Sequence, residues 1–341
     1  MPITIKDIAS ELNVSATTVS RALKNDARIS VEVREKVKKS AAKMGYRPNL
    51  MAKSLVSSRT DAIGLLVDNL SWSFFSELAE RVQNAAEKHG YSVFIYSSQK
   101  SAGLEKAGVE RFMSRGIDGL LVYATEKEEN RAFYSELDKL GIPVLFFNHF
   151  LRMDVNCVTT DDYDGTIQAI RHLGSLGHRR IAYVGSGEES SFKQQRLAGY
   201  RDGLNELGVE ASPHWIGLEE DDPAYGYRKV KAWLAAPADE RPTAVFAQND
   251  MLAFGIYRAA AEAGLRVPDD LSVIGFDDLD VCQLMHPPLT TVRIPLKQLA
   301  EAAIRFMLDR FAAEAGGEAV RLKTTLSPSL IIRQSTAPLK Q

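Results

Sequence analysis

Carboxylates, carboxamides and one arginine recur where the short apolar runs of this 341-residue chain end. Asp68-Asn69, Ser97-Ser98, Ala124-Thr125, Asn148-His149, Asp161-Asp162, Ser186, Glu219, Gln248-Asn249-Asp250 and Asp277-Asp278 each follow such a run. Beside Arg196 and the rings of Trp72, Phe74, Tyr123, Phe147, Phe192 and Phe276, they have the chemistry to hold a polyhydroxylated ligand. Carboxylate, amide and guanidinium groups satisfy hydroxyls, and aromatic faces cover apolar C–H surfaces. Plainer readings stand beside this one. An aromatic at a strand end can be core, Arg196 an ion pair on its helix surface, and Asp277 a turn carboxylate capping the next segment.

Catalysis does not follow from the same residues. Gly185-Ser186-Gly187 lacks the Gly-x-Ser-x-Gly of a nucleophile elbow, and no phosphate loop ending in Gly-Lys-Ser/Thr occurs. Asp277 and Asp278 are adjacent at a strand end and point to opposite sides, so one cleft rarely uses both. Cys157 and Cys282 stand far apart, and the six His residues show no paired ligand spacing, so neither a metal nor another cofactor is expected.

A second set of residues lies near the N-terminus. Residues 1–60 hold twelve Lys and Arg against five Asp and Glu, a net +7, while the remainder carries −9. A basic head on an acidic body is the electrostatic footprint of a polyanion partner. Thr4 precedes Ile5, Ile8, Ala9 and Leu12 with Asp7 three residues on, a capping-box-like start to an amphipathic helix. Asn13-Val14 breaks that helix, and Ser15 caps a second one that turns Val19, Ala22 and Leu23 inward. The gap suits a helix-turn-helix. Ala16, Thr17, Thr18, Ser20 and Arg21 then face outward; small side chains let the helix sink into a major groove, and Arg21 offers its fork to guanine O6 and N7. A third helix, capped by Ser30, carries Val33, Val37, Ala41 and Met44 on one face. Segment 49–55 has good helix formers but under three turns, so it is marginal alone and suited to order on a partner.

From Ala62 onward, apolar runs alternate with helical stretches that stop at glycine. Strands are expected at 62–67, 91–96, 119–123, 144–147, 181–184, 215–218, 244–247 and 272–276, with helices between them. Such alternation implies parallel sheets covered on both faces, in two successive sets. The last stretch adds strands at 291–294, 320–323 and 330–332 and a helix at 298–311. Ligands of such sheets bind beyond the carboxyl ends of the strands.

Thr4-Ile5-Lys6-Asp7-Ile8-Ala9, Val14-Ser15-Ala16-Thr17-Thr18-Val19-Ser20-Arg21-Ala22-Leu23 and Gly45-Tyr46-Arg47-Pro48-Asn49 resemble the lactose-repressor (LacI) family of bacterial transcription regulators. Leu176-Gly177-His178-Arg179-Arg180-Ile181 and Pro287-Pro288-Leu289-Thr290-Thr291-Val292 extend the resemblance through the chain. It implies an all-α helix-turn-helix headpiece at 1–47, a hinge helix and linker at 48–59, and an α/β periplasmic-binding-protein-like domain at 60–341. That domain would comprise two Rossmann-like subdomains, about 60–160 with 292–325 and about 161–291 with 326–341. Ala16, Thr17 and Arg21 would read bases, with Thr4, Ser15, Thr18 and Ser20 beside them. Lys24, Arg28 and Tyr46 would lie near phosphates or groove edges. Asn49, Ala52, Lys53 and Leu55 would form the hinge contact, Leu55 wedging between central base pairs unless it is only the apolar stripe of a linker helix. Trp72, Phe74, Tyr123, Asn148, Asp161, Phe192, Arg196, Asn249 and Asp277 would contact a small effector, a sugar or sugar derivative.

Two departures bear on that effector's identity. Ser71-Trp72-Ser73 stands where the family usually has Asn-Pro before the Phe pair, and Asp221-Asp222-Pro223-Ala224-Tyr225 offers no secure match to the usual cleft aromatic. The partners expected are a near-palindromic operator, the effector and a second copy of the chain, since no apolar heptads of a tetramerising tail follow Arg333. No apolar h-region follows Met1 and no run reaches the ~18 residues of a membrane span, so a cytoplasmic regulator is expected. The alternative is a periplasmic-type sugar-binding protein, against which the basic head and missing signal argue.

Overall fold

The computed structural model describes residues 3–46, 59–148, 153–187, 190–313 and 321–340. Asn49, Ala52, Lys53 and Leu55 lie outside them. The chain divides into two units, Met1–Thr60 and Asp61–Gln341.

The first unit packs helices α1 (Ile5–Leu12), α2 (Ala16–Leu23) and α3 (Val31–Met44) around Ile8, Ala9, Val19, Ala22, Val37 and Ala41. Local chemistry sets its boundaries. The Asp7 carboxylate accepts from the Thr4 N–H and hydroxyl, both at 2.7 Å, and Asn13 ends α1 in the left-handed region (φ 53). Ser15 Oγ accepts the Thr18 N–H at 3.0 Å, and Ser30 Oγ accepts that of Val33 at 3.4 Å. Each cap satisfies an N–H that a helix start otherwise leaves open. Ser40 on α3 donates to Glu11 of α1 at 2.8 Å, tying first helix to third.

The second unit is built of two lobes. Its elements are β1 (Ala62–Val67), α4 (Ser73–Glu87), β2 (Ser92–Ser97), α5 (Ala102–Ser114), β3 (Gly119–Val122), α6 (Arg131–Lys139), β4 (Val144–Phe146), β5 (Cys157–Thr160), α7 (Asp162–Ser175), β6 (Ile181–Gly185), α8 (Ser191–Glu206), β7 (Ile216–Leu218), α9 (Pro223–Leu234), β8 (Ala244–Ala247), α10 (Asp250–Glu262), β9 (Ser272–Asp277), β10 (Thr290–Arg293), α11 (Leu296–Ala312), β11 (Lys323–Leu326) and β12 (Ser329–Ile331). The first sheet runs β11-β5-β4-β3-β1-β2 and the second β12-β10-β9-β8-β6-β7. All pairings are parallel except β12 on β10, an antiparallel edge that the expectation of parallel sheets did not include. The central strands are wholly buried, as the run Ala-Ile-Gly-Leu-Leu-Val of β1 requires when helices cover both faces.

Between the lobes the chain crosses three times: after β5, after β10 and after β11. Thr290–Arg293 pairs with β9 and β12, so the second crossing follows Arg293 rather than preceding residue 292. The strand expected at 320–323 lies at Lys323–Leu326. In both places pairing across the sheet, not local apolarity, sets the register.

Candidate functional site

In the headpiece, α2 presents Thr17 and Arg21 to solvent, Lys24 lies exposed at its end, and Ala16, Thr18 and Ser20 are half-buried. Ser15 and Thr18 hydroxyls lie 2.9 Å apart, and the Thr4 hydroxyl is committed to Asp7, so these three first serve to shape the helix starts. Arg28 is held by Asp26, with Nη2 at 2.7 Å and Nε at 3.0 Å from its oxygens, although the arginine is largely exposed. Tyr46 packs half-buried on the three-helix core.

In the second unit, Asp68, Ala124-Thr125, Gln248-Asn249 and Asp277 meet at the carboxyl ends of strands from both sheets. They bound a cavity of about 240 Å³ whose apolar wall is Trp72, Phe74, Phe75, Tyr123 and Phe192. Four of these rings form a contiguous cluster: Phe75–Tyr123 centroids lie 4.9 Å apart, Phe74–Tyr123 6.0 Å and Tyr123–Phe192 6.3 Å. Phe276 is fully buried beneath Arg196, whose guanidinium lies 3.6 Å from its centroid.

Arg196 is the electrostatic centre. Close packing of α8 on α7 sets its height: a β-carbon at Gly199 would lie 2.6 Å from the Tyr163 carbonyl oxygen. The guanidinium donates through Nε to Asp162 Oδ1 at 2.7 Å and through Nη1 to the Gln248 carbonyl, and Nη2 stands 3.6 Å from Asp277 Oδ1. Burial works against its charge, but Asp162 and Asp277 more than offset that and raise its pKa. Burial raises Asp277 well above the usual carboxylate range despite Arg196, the Asp250 carboxylate adding to the effect. Asp277 also has a φ of 115, a conformation non-glycine residues adopt only where the surroundings over-determine it. Those surroundings include Asp250, fully buried, which binds the Leu279 N–H at 2.9 Å and the Thr291 hydroxyl at 2.6 Å.

One expectation is corrected here. Asp161 does not line the cavity; its carboxylate caps α7 by accepting the Asp164 N–H at 2.9 Å. Asp162, the next residue, turns towards Arg196 instead. Asn249 lines the cavity and Asn148 the small recess beside Asp162 and Arg196, both with their amides already engaged. Asn148 binds both backbone atoms of Ala124 and also Glu126; Asn249 caps α10 and donates to the Asp221 carbonyl at 3.0 Å. They hold loops in place. Lys100, Lys127, Ser190, Lys193 and Asp221 complete the wall, and no strand-end rule points to them because they sit on loops and a helix start. Among the described residues, three polar atoms on this wall are buried without a partner: Asp68 Oδ1, Thr125 Oγ1 and Ser190 Oγ. Burial raises the Asp68 pKa, with Lys100 opposing it.

Glu126 bridges the lobes. Its φ is 57, and it accepts the Ser191 N–H at 3.0 Å, the Ser191 hydroxyl at 3.1 Å and the Asn148 amide at 2.8 Å. Burial pushes its carboxyl from 4.5 up to about 7, against the opposing effects of Ser191, Asn148 and Lys193. Because the folded value is raised, its contribution to stability is whole below about 4.5 and is lost as pH rises through about 7. Over that window Glu126 should lower unfolding free energy by up to about 1.4 kcal/mol per pH unit. Glu126→Gln should flatten this part of the profile in denaturant unfolding of the full chain from pH 5 to 8; parallel wild-type and variant profiles would refute the assignment.

Comparison with known proteins accords with both halves. Residues 4–49 match the family model described as bacterial regulatory proteins, lacI family, and residues 170–336 match a periplasmic binding protein-like domain. The HTH-type transcriptional regulator DegA of Bacillus subtilis is 33% identical over 344 residues, covering 99% of each chain. The crystal structure of the lac repressor dimer bound to operator and the anti-inducer ONPF superposes with a TM-score of 0.85 at 27% identity, covering 99% of this chain and 100% of that one. A complex of the transcriptional regulator CelR with cellobiose matches with a TM-score of 0.71 at 26% identity, covering 98% and 99%. With a helix-turn-helix head, a two-lobed body and full-length relatives at this identity, the chain belongs to the LacI family of bacterial regulatory proteins.

Proposed function

We propose that this chain is a dimeric transcriptional repressor of the cytoplasm, without catalytic activity, whose operator affinity is set by a sugar-like effector in the inter-lobe cleft. Thr17 and Arg21 read base edges in each half-site, and Lys24 contacts phosphate. Arg196, Asp277 and the aromatic wall receive the effector. The observation that carries the effector assignment is the convergence of unpartnered Asp68 Oδ1, Thr125 Oγ1 and Ser190 Oγ on one aromatic-walled cavity. A buried polar atom without a partner costs free energy that a ligand hydroxyl can recover. Exposed Phe94 and Ile95 on the edge strand β2, with Val281 and Leu284 on the second lobe, supply apolar surface for pairing two copies.

The test uses the full-length protein and duplexes selected by it from a random pool. Fluorescence anisotropy should show preference for a near-palindromic selected duplex, with affinity falling roughly 10³–10⁵-fold between 50 and 200 mM salt if 6–10 phosphates are contacted. A panel of pentoses, hexoses and disaccharides should contain a member that changes this affinity about 5–150-fold. No preference over random duplex would sink the operator assignment; a panel without effect on either affinity or melting temperature would sink the effector assignment.

A further inference from the structure

At one side of the cleft, Trp72 of the aromatic wall is joined to two residues, Lys100 and Asp221, that the effector contacts above do not use. Lys100 lies just past β2, and both it and Gln99 hold left-handed backbone, φ 59 and 50, which a non-glycine residue keeps only where its surroundings fix it. The Lys100 ammonium stands 4.3 Å above the centre of the Trp72 ring. It reaches across from the first lobe to the second, 3.0 and 3.1 Å from the two oxygens of Asp221. Lys193 of α8 approaches the same carboxylate at 3.5 Å, and Asn249 anchors the Asp221 backbone. Trp72, Lys100 and Asp221 thus form a clasp over the opening, with the ammonium occupying one face of the indole.

What lies on either side gives the clasp a role. Inward is the cavity of about 240 Å³; deeper still, a recess beside Asp162 and Arg196 adds only about 30 Å³. That is room for about two waters and far too little for a sugar ring, so the cavity does not extend inward by a ring. Outward is an open groove lined by Asn69, Leu70, Ser71, Ser97 and Gln99. Lys100 belongs to both walls and partitions them. The inner space is below the roughly 300–1,000 Å³ of pockets that enclose a drug-sized ligand, the size class of a two-ring sugar. The cellobiose complex of CelR indicates that this fold can accommodate two rings, so architecture alone does not impose the limit.

We propose that the Trp72–Lys100–Asp221 clasp is a specificity gate that restricts the effector to a single-ring polyhydroxylated compound and excludes its two-ring extensions. The proposal rests on the reading of the cleft as a polyol site. A second ring could enter the outer groove only by displacing Lys100 from the indole face and from both Asp221 oxygens at once.

Isothermal titration calorimetry on the full-length protein tests it, with ribose, glucose and galactose against cellobiose, maltose, lactose and sucrose. Wild type should bind at least one single-ring sugar and bind every two-ring sugar at least 100-fold more weakly. Lys100→Ala and Trp72→Ala should each narrow that ratio at least tenfold by gaining two-ring affinity. Asp221→Asn, which opens the clasp from the other lobe, should act in the same direction, and melting temperature checks that each variant is folded. The gate is overturned if wild type takes a two-ring sugar within tenfold of its best single-ring one, or if folded variants leave the ratio unmoved; either result leaves the polyol reading intact. Silence of wild type and all variants towards every sugar overturns both.

Discussion

Arg196→Ala is expected to cost the two-lobed body about 3–5 kcal/mol of unfolding free energy, the range for removing one partner of a buried ion pair. The magnitude follows from what is left behind. Asp162 and Asp277 would face each other across an unfilled space, and the Gln248 carbonyl would lose its donor. Burial already holds the Asp277 carboxyl well above the usual carboxylate range, and removing the arginine that opposes this raises it further. The deficit should therefore be smaller at pH 5 than at pH 8, since stability carried by a raised carboxylate is lost as pH climbs through its folded value. Arg196→Lys should recover only part of the loss, because an ammonium cannot serve Asp162 and the Gln248 carbonyl with the geometry of a planar fork. Urea unfolding of the full chain at both pH values decides the matter. A loss below about 1 kcal/mol, as an exposed pair would give, would place Arg196 in solvent.

Arg21→Ala should weaken binding to the selected duplex roughly 5- to 150-fold, equivalent to about 1–3 kcal/mol, and relax discrimination at one G·C pair. The physical reason is its exposure on a helix whose neighbouring outward residues are small or half-buried, leaving its fork free to reach a base edge. Lys24→Ala provides the contrast. It should weaken selected and scrambled duplexes alike and reduce the salt slope by about 0.9, the signature of one lost phosphate contact. Anisotropy titrations over a salt series separate the two. If Arg21→Ala shifts both duplexes equally, Arg21 touches backbone and the reading helix must be reassigned.

The parts of the molecule legible in the sequence are those fixed by neighbours along the chain. Thr4 with Asp7, Ser15 with Thr18 and Ser30 with Val33 are contacts between residues three apart, so helix starts could be placed from residue type alone. The alternation of buried strands and helices could be read for the same reason. What escaped depends on pairing between distant segments. The resemblance places residues from 292 in the first lobe, yet Thr290–Arg293 pairs with β9 and β12 of the second. Asp161 spends its side chain on the helix start, and Asp162, one residue on, is the carboxylate that pairs with Arg196. A local cap rule, Asp followed three residues later by an N–H in need of an acceptor, could have found this. No such rule could have found Lys100 beside Asp221, which are 121 residues apart.

The thrice-crossed connection between the lobes has a consequence for how the molecule is born. The first sheet acquires its β11 edge only when residues 323–326 exist, and the second acquires β12 only after that, so neither lobe can be finished until those segments have been made. The three-helix head, by contrast, is contiguous and a unit of its own. At bacterial elongation speeds of up to ~20 residues per second, a nascent chain would expose a folded head for on the order of tens of seconds before the body that governs it is complete. On the proposed function, the tethered polypeptide would during that interval be a monovalent, effector-blind competitor for DNA near the ribosome that makes it.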